Sequence, residues 1–358
     1  MGLTDPCMPA QPVQARNYFL ACYAVSLIQG QTITGTPIRY KTVINYLNDA
    51  YTLFRNRSIN YLPPLATDYV AIITHAFKKY DTVPNRRNMI TDSMMRWLLR
   101  ETSKHGKDSS FTAIVDWLIL GRYTGYRKSE WCQDTQSSYA RIEDWPGRPS
   151  LAAILSDFTF YDKNERRIRL TGAKGELTKI AYVGIRWRHQ KNGDNDEVIT
   201  FACDPDNPAF CPVAAAYRIA RRAIRLRVPA DEPIAVFLSR RGDPRFITGS
   251  LVQKQLRQAA CTVLGYSSKD DEVKKWSSHS IRVTAANLLH RQKFTDSYIQ
   301  KRLRWKSNSF LMYLRNTFYA ADQHRLDISD SNLPALAERS YREDEAHEII
   351  GPLSTLSI

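Results

Sequence analysis

Four side chains near the C-terminal end of the chain could act together on a phosphate. His279 and Arg282 stand three residues apart, which places them on one face of a helix, where an imidazole and a guanidinium can donate to the same phosphate. Trp305 adds an indole N–H donor, and Tyr313 carries a phenol that could attack phosphorus. A cationic phosphate clamp followed by a tyrosine suggests chemistry on DNA.

Further candidate residues lie far upstream of this set. Arg127 precedes Glu130 by three residues, at the start of a predicted helix near Ser129. Lys191 stands directly before residues 192–196, which are turn formers that tolerate positive φ. Because apolar and polar residues alternate on both sides of this turn, the sequence predicts a β-hairpin with Lys191 next to its tip.

The elements that would position these residues follow from apolar spacing and helix-capping residues. Predicted helices cover residues 38–54, 90–98, 111–121, 212–227 and 309–316, and three more begin at capping residues: Thr248 or Ser250, Ser278 and Thr295. Alternation predicts strands at 156–161 and 167–170, and a hairpin from 180–188 and 197–202. The predicted fold is therefore mainly α with a small antiparallel β-sheet.

The apolar rhythm stops between two helical regions, which predicts a domain boundary. We expect a helical domain at residues 1–103, a linker at 104–110, a second domain at 111–330 and an acidic C-terminal tail at 331–358. The helix at 212–227 presents four arginines on one side, which suits either a solvated charged face or a helix that follows DNA phosphates: Arg218, Arg221, Arg222 and Arg225.

Composition favours a polyanionic partner. The 358 residues carry 51 Lys and Arg against 36 Asp and Glu, a net charge of +15 with a pI near 9.5. No segment approaches the roughly 20 apolar residues of a membrane-spanning helix, and the N-terminus does not resemble a signal peptide. We therefore expect an intracellular protein without a membrane partner. The six cysteines include no C-x-x-C pair, so no metal site is predicted.

The order arginine, hairpin lysine, H-x-x-R, tryptophan and tyrosine resembles the tyrosine recombinase (phage integrase) family. Segment 276–283 and the later Trp305 and Tyr313 resemble its Cre-like members, and segment 304–307 resembles recombinases of Crypton-type eukaryotic mobile elements. The motifs span roughly residues 124–316. The step from Trp305 to Tyr313 is one residue shorter than in Cre-like members, so Tyr319 remains the alternative nucleophile.

The resemblance implies a site-specific DNA recombinase that cleaves and rejoins DNA through a 3′-phosphotyrosyl bond to Tyr313. Arg127 and Arg282 would hold the non-bridging phosphate oxygens, while His279 and Trp305 would each add a hydrogen bond. Two such domains would form a C-shaped clamp on DNA, with the N-terminal domain as the core-binding domain. Strand exchange between two sites would integrate or excise a mobile element.

The same resemblance implies roles for the remaining candidates. Lys191 on the hairpin would give a proton to the leaving 5′-oxygen, with Lys174 and Lys179 as alternatives, and Glu130 would support the active-site histidine from behind. No metal or other cofactor is implied, because two arginines and a lysine supply the positive charge. Residues that could contact DNA grooves or phosphates are Arg39, Lys41, Asn45, Arg86, Arg87, Lys254, Gln255 and Arg257.

The implied partners are double-stranded DNA target sites and other copies of the chain. A homotetramer would assemble on DNA from free monomers or dimers, with the tail at 331–358 docking on the neighbouring protomer. The compartment would follow the DNA: the nucleus in a eukaryote, otherwise the cytoplasm or nucleoid. Two alternatives stay open: a type IB topoisomerase-like enzyme that relaxes DNA, and a catalytically silent, element-derived DNA-binding protein.

Overall fold

The computed structural model describes residues 11–32, 35, 37–56, 68–81, 86–171, 173, 175–190, 193–307, 310–311 and 314. Internal contacts divide the chain into two compact units, Met1–Asn85 and Arg86–Ile358. Within the described ranges, the helices are too short or too polar for any of them to cross a lipid bilayer.

The N-terminal unit is helical throughout its described part. Its helices are α1 (Val13–Ile28), α2 (Tyr40–Asn56) and α3 (Asp68–Tyr80). Side chains at three- and four-residue steps bury a shared core, which includes Leu20, Leu27, Val43, Leu47 and Val70. The predicted helix at 38–54 is confirmed as α2, shifted by two residues.

The second unit combines helices with two small antiparallel sheets. Its described helices are α4 (Asp92–Glu101), α5 (Ser110–Thr124), α6 (Pro212–Arg225), α7 (Gly249–Leu264), α8 (Ser280–Arg291) and α9 (Asp296–Leu303). Its strands are β1 (Phe158–Tyr161), β2 (Arg167–Ile168), β3 (Tyr182–Trp187), β4 (Glu197–Ala202), β5 (Val236–Leu238) and β6 (Pro244–Phe246). The predicted class, mainly α with a small antiparallel sheet, is confirmed.

The larger sheet has the strand order β2-β1-β3-β4. All its neighbours are antiparallel, and Phe158 of β1 lies opposite Ile185 of β3, which lies opposite Ile199 of β4. These apolar side chains are buried, as the alternation in sequence predicts. The β3–β4 hairpin predicted around residues 192–196 is confirmed.

Helix α5 is the central element of this unit. Residues 113–120 are all buried; seven of them are apolar, and the eighth, Asp116, pairs with arginines of α6. It packs on α6 and on α8. At Gly121 an added Cβ would clash with Cγ2 of Ile281, so glycine permits the close approach of α5 and α8.

The division between the units lies upstream of the predicted linker. Met94, Met95 and Leu98 of α4 enter the same core as α5, and α4 packs on α7. Residues 104–110 therefore connect two helices of one unit, and Ser109 caps α5 by accepting from the backbone N–H of Thr112.

Two predicted helix starts differ from the structure. Near Ser129 the chain forms only a 3₁₀ turn, Lys128–Glu130, because the Glu130 carboxylate turns back to the N–H of Arg127. Ser278 does not cap α8, which begins at Ser280 without a side-chain cap. Thr248 and Thr295 do cap α7 and α9, as predicted.

Candidate active site

Arg127 and Glu130 form the first part of the candidate site, directly after α5. Helix α5 ends at Gly125 with φ +56°, a left-handed conformation that favours glycine. The chain then reverses, so that the N–H and Nη1 of Arg127 donate to the two carboxylate oxygens of Glu130, both at 2.8 Å. Arg127 keeps 22% of its side chain exposed, so it is less completely buried than Arg282 and Arg304.

Arg282 enters the same place from the first turn of α8. Its Nη1 donates to the carbonyl of Gly125 at 2.8 Å, and its Nη2 donates to the carbonyl of Leu303 at 3.0 Å. Its Cζ lies 4.3 Å from the ring centroid of Trp305, which is a cation–π contact. The structure thus brings together three residues that the sequence separates widely: Arg127, Arg282 and Trp305.

Arg304 belongs to this cluster, and sequence analysis missed it as a site residue. It terminates α9 at φ 60°, ψ 54°, and its side chain is fully buried. Its Nη1 and Nη2 donate to the two oxygens of Glu130, each at 3.1 Å, and its Cζ lies 4.0 Å from the ring centroid of Trp187. The only signal in sequence was its position next to Trp305.

Glu130 is the shared counter-ion of the cluster. Burial acts to raise its pKa, but the guanidiniums of Arg304, Arg127 and Arg282 and the Arg127 N–H outweigh burial and lower the pKa below its ordinary value. Support of His279 remains a prediction for Glu130. Among the described residues, its hydrogen bonds go to Arg127 and Arg304, because these two guanidiniums occupy both carboxylate oxygens.

His279 immediately precedes α8 and is partly buried. Burial lowers its pKa from the ordinary 6.5, and the positive charges of Arg282 and Arg87 lower it further. At neutral pH the imidazole is therefore uncharged, with one ring N–H to donate. The charge effect also shows that Arg87, a predicted DNA contact, lies near the candidate site.

Three other predicted residues cannot be placed by this structure. Tyr313, Lys191 and the alternative lysine Lys174 lie outside the described residues, as do Tyr319 and the tail at 331–358. The third lysine, Lys179, is exposed at the end of the 3₁₀ turn Glu176–Lys179. The nucleophile and the general acid remain predictions from sequence.

The predicted DNA-contacting residues divide into exposed and engaged groups. Exposed are Lys41, Asn45, Arg86 and Lys254. Arg39 pairs with Asp81 at 3.3 Å within the N-terminal unit, and Arg87 and Arg257 donate to the carbonyl of Lys274.

Gln255 is a correction to the predicted set of DNA contacts. It is buried, and its Nε2 donates to the carbonyl of Phe111 at 3.2 Å. It lies on the face of α7 that packs into the core, whereas Lys254, one position earlier, points outward.

Three of the four arginines on the predicted cationic side of α6 form ion pairs within the protein. Arg218 and Arg222 both donate to Asp116 of α5, and Arg225 donates to Asp108. Arg222 is buried with Asp116, at 3% and 4% side-chain exposure. These three guanidiniums are paired with carboxylates of the protein, while Arg218 and Arg225 keep 38% and 37% of their side chains exposed.

The arrangement around Glu130 suits the binding of an anion. Three guanidiniums face one carboxylate, and backbone carbonyls hold two of them in fixed orientations. Fixed donors of this kind stabilise charge that develops on a phosphate in a transition state. Within the described ranges, no three His, Cys, Asp or Glu side chains cluster as metal ligands would.

Neither a family model nor a curated protein matches the chain. Among solved structures, the Tn1549 transposon integrase in complex with transposon right end DNA aligns over 90% of this chain and 87% of that chain, at 15% identity and a TM-score of 0.47. The XerH site-specific recombinase bound to a palindromic difH substrate aligns over 89% and 72%, at 14% identity and a TM-score of 0.45.

A lambda integrase dimer bound to a COC′ core site aligns over 88% of this chain and 83% of that chain, at 15% identity and a TM-score of 0.43. At these TM-scores the likenesses carry no argument about function. The functional conclusion rests on the side chains of the candidate site.

Proposed function

We propose that this protein is a site-specific DNA recombinase that cleaves and rejoins DNA through a covalent bond to tyrosine. The observation that carries the proposal is the convergence of Arg127 and Arg282 beside Trp305, from elements more than a hundred residues apart in sequence. Two guanidiniums that converge on one place can supply planar donor forks to the two non-bridging oxygens of a phosphate.

In the proposed reaction the Oη of Tyr313 attacks phosphorus, and the bond from phosphorus to the 5′-oxygen breaks. The phenol loses its proton to solvent, and the products are a 3′-phosphotyrosyl bond and a free 5′-hydroxyl, so the phosphodiester is exchanged rather than hydrolysed. Arg127 and Arg282 stabilise the extra negative charge of the pentavalent state, and His279 and Trp305 donate one hydrogen bond each. Attack by the 5′-hydroxyl of a second site then rejoins the DNA without ATP.

The leaving 5′-oxygen needs a proton, which we assign to a lysine. Lys191 is the first candidate because in sequence it directly precedes the turn-forming residues 192–196 between β3 and β4, and Lys174 and Lys179 are the alternatives. The remaining parts of the proposal are a double-stranded DNA target, a homotetramer assembled on two sites, and a DNA-containing compartment.

The nucleophile is tested by trapping. A pool of nicked duplexes with randomised sequence is incubated with the protein, and covalent adducts are isolated under denaturing conditions. Wild type and Tyr319→Phe should form adducts, Tyr313→Phe should form none, and peptide mass spectrometry should find the DNA on Tyr313. An adduct that persists in Tyr313→Phe would refute the assignment, and none with wild type would favour the binding-only alternative.

The general acid is tested with a substrate whose bridging 5′-oxygen is replaced by sulfur. A thiolate leaves without a proton, so the variant that has lost its general acid should cleave the sulfur substrate and not the oxygen substrate. We expect this result for Lys191→Ala and ordinary behaviour for Lys174→Ala and Lys179→Ala. If the sulfur substrate instead restores cleavage by Lys174→Ala or Lys179→Ala, the lysine replaced in that variant is the general acid.

The type IB topoisomerase alternative is separated by the products. Trapped target sequences are placed in pairs on a supercoiled plasmid, and the recombined and relaxed forms are measured. A recombinase should produce deletions or inversions between paired sites. Relaxation at single sites, with no recombination between pairs, would instead indicate the topoisomerase activity.

A further inference from the structure

Residue 304 occupies a backbone conformation that an arginine rarely adopts. At φ 60°, ψ 54° the Cβ of an L-residue crowds its own backbone, and glycine is the usual residue at this position after a helix. The helix ends after α5 and α7 carry glycine, at Gly125 and Gly265, whereas Arg227 after α6 and Lys293 after α8 also adopt positive φ. Arg304 differs from Arg227 and Lys293 because its side chain is fully buried, whereas theirs are exposed.

The Arg304 side chain is buried among three partners. Its two terminal nitrogens donate to both oxygens of Glu130, and one of them also donates to the carbonyl of Thr124 at 3.2 Å. The planar guanidinium lies over the Trp187 ring at the end of β3. A planar, bidentate cation satisfies all three contacts at once, whereas an ammonium group does not.

The backbone of the same turn orients both arginines of the proposed phosphate clamp. The carbonyl of Arg304 accepts from Nη2 of Arg127 at 3.2 Å, and the carbonyl of Leu303 accepts from Nη2 of Arg282 at 3.0 Å. The next residue, Trp305, lies against the Arg282 guanidinium. The conformation of residues 303–305 therefore sets where both guanidiniums point.

Glu130 links the Arg304 side chain to the same two groups. Its Oε1 accepts from Arg127 and from Arg304, so the carboxylate is shared. Without Arg304, the whole charge of Glu130 would be compensated by Arg127, which would leave the clamp less positive and draw the Arg127 guanidinium toward the carboxylate.

We propose that Arg304 is a positioning residue: its side chain, locked between Glu130 and Trp187, fixes the turn whose carbonyls orient Arg127 and Arg282 for phosphate. The expected effect on the cleavage rate rests on the proposed function. The orientation of Arg127 and Arg282 by Arg304 is a separate statement that can be tested in the protein without DNA. Arg304 itself is fully buried and does not touch the phosphate.

Arg304→Gly separates this role from that of an ordinary helix end. Glycine is the favoured residue at φ 60°, so a purely structural role predicts that the variant folds and cleaves like wild type. Positioning predicts slower adduct formation in single turnover, on the order of 10- to 100-fold, with little change in the Kd for the same DNA. Arg304→Lys should be slow as well, because its ammonium lacks the planar fork.

The matched control is Lys301→Gln, which removes an exposed positive charge one turn earlier on α9. It should keep the wild-type rate of adduct formation. A wild-type rate in Arg304→Gly, or a loss that appears entirely in the Kd, would overturn the inference.

A measurement without DNA keeps this inference separate from the proposed function. In arginine-labelled protein, hydrogen-bonded Nη–H groups exchange slowly and give distinct ¹⁵N–¹H signals, which Arg127→Lys and Arg282→Lys assign. Arg304→Gly should broaden or shift both signals, and Lys301→Gln should not. If wild type never forms an adduct, the recombinase proposal fails, while unchanged Arg127 and Arg282 signals in Arg304→Gly would refute positioning itself.

Discussion

The arginines of α6 and the arginines around Glu130 are both paired, but with different amounts of negative charge. On α6, Arg218 and Arg222 share Asp116, and Arg225 pairs with Asp108. These ion pairs tie α6 to α5 and to the segment that precedes it.

The second group has one carboxylate for three guanidiniums. Arg127 and Arg304 donate directly to Glu130, and Arg282 acts on it through space while donating to neutral carbonyls. Neutral acceptors orient a guanidinium without cancelling its charge. The group around Glu130 is therefore fixed in position and still positive.

The contrast shows that clustering of arginines in sequence does not tell how far carboxylates neutralise their charge. Four arginines within eight residues of α6 suggest a DNA-binding face, yet three of them, Arg218, Arg222 and Arg225, form ion pairs with carboxylates of the protein. The proposed phosphate clamp comes from residues scattered along the chain. The distinguishing property is the ratio of carboxylates to guanidiniums, which only the folded structure shows.

The largest effect is expected at the α6 group, from Asp116→Asn. The change leaves Arg218 and the buried Arg222 without a carboxylate, and breaking such a pair lowers the free energy of unfolding by about 3–5 kcal/mol. Urea denaturation measures this loss. Adduct formation per folded molecule should stay at the wild-type rate. A fall in that rate as large as the one expected for Arg282→Lys would contradict the distinction between the α6 arginines and those around Glu130.

Arg282→Lys should have the next largest effect, on the chemical step. Losing the planar fork should slow adduct formation by about 10²- to 10³-fold, as for removal of one fixed donor to a transition state. The same substitution on α6, Arg222→Lys, is the matched control and should reduce stability while leaving the rate per folded molecule unchanged. Quenched single-turnover assays on both variants test the comparison directly.

Gly125→Ala should produce a smaller, mixed effect. The residue lies at φ +56°, and an added Cβ would approach Cδ2 of Leu303 to 2.9 Å, so the free energy of unfolding should fall by about 1–2 kcal/mol. Because the Gly125 carbonyl accepts from Arg282, cleavage should slow as well. Gly265→Ala, at φ +76° in open space, is the control that should reduce stability without slowing cleavage.

The smallest effect is the pH dependence of stability from His279. Burial, Arg282 and Arg87 lower its pKa below 6.5, so in the window just below pH 6.5 the unfolded chain binds more protons than the folded chain. The free energy of unfolding should therefore fall as the pH drops through this window. His279→Gln should flatten that part of the profile, and Arg222→Lys should not. Identical slopes in wild type and His279→Gln would contradict the assignment.

Most of the fold of the second unit followed from local patterns. Alternation predicted β1, β3 and β4, apolar spacing predicted α5 and α6, and Thr248 and Thr295 marked the starts of α7 and α9. The helix near Ser129 was wrong because Glu130 bonds the Arg127 N–H in a tight turn instead of extending a helix. The unit boundary also differed, since a polar connection between two helices of one core looks like a linker in sequence.

The sequence by itself determined the residue types and their order: Arg127, then H-x-x-R, then Trp305 ahead of Tyr313. Chemistry on a phosphate needs cationic donors and a nucleophile. The residue types that supply them can be recognised individually in a sequence. Only the tertiary structure shows how much of the positive charge of each group of arginines is neutralised by nearby carboxylates. Asp116 cancels charge on α6 and Glu130 is shared by Arg127 and Arg304, because electrostatic pairing depends on distances between residues far apart in the chain.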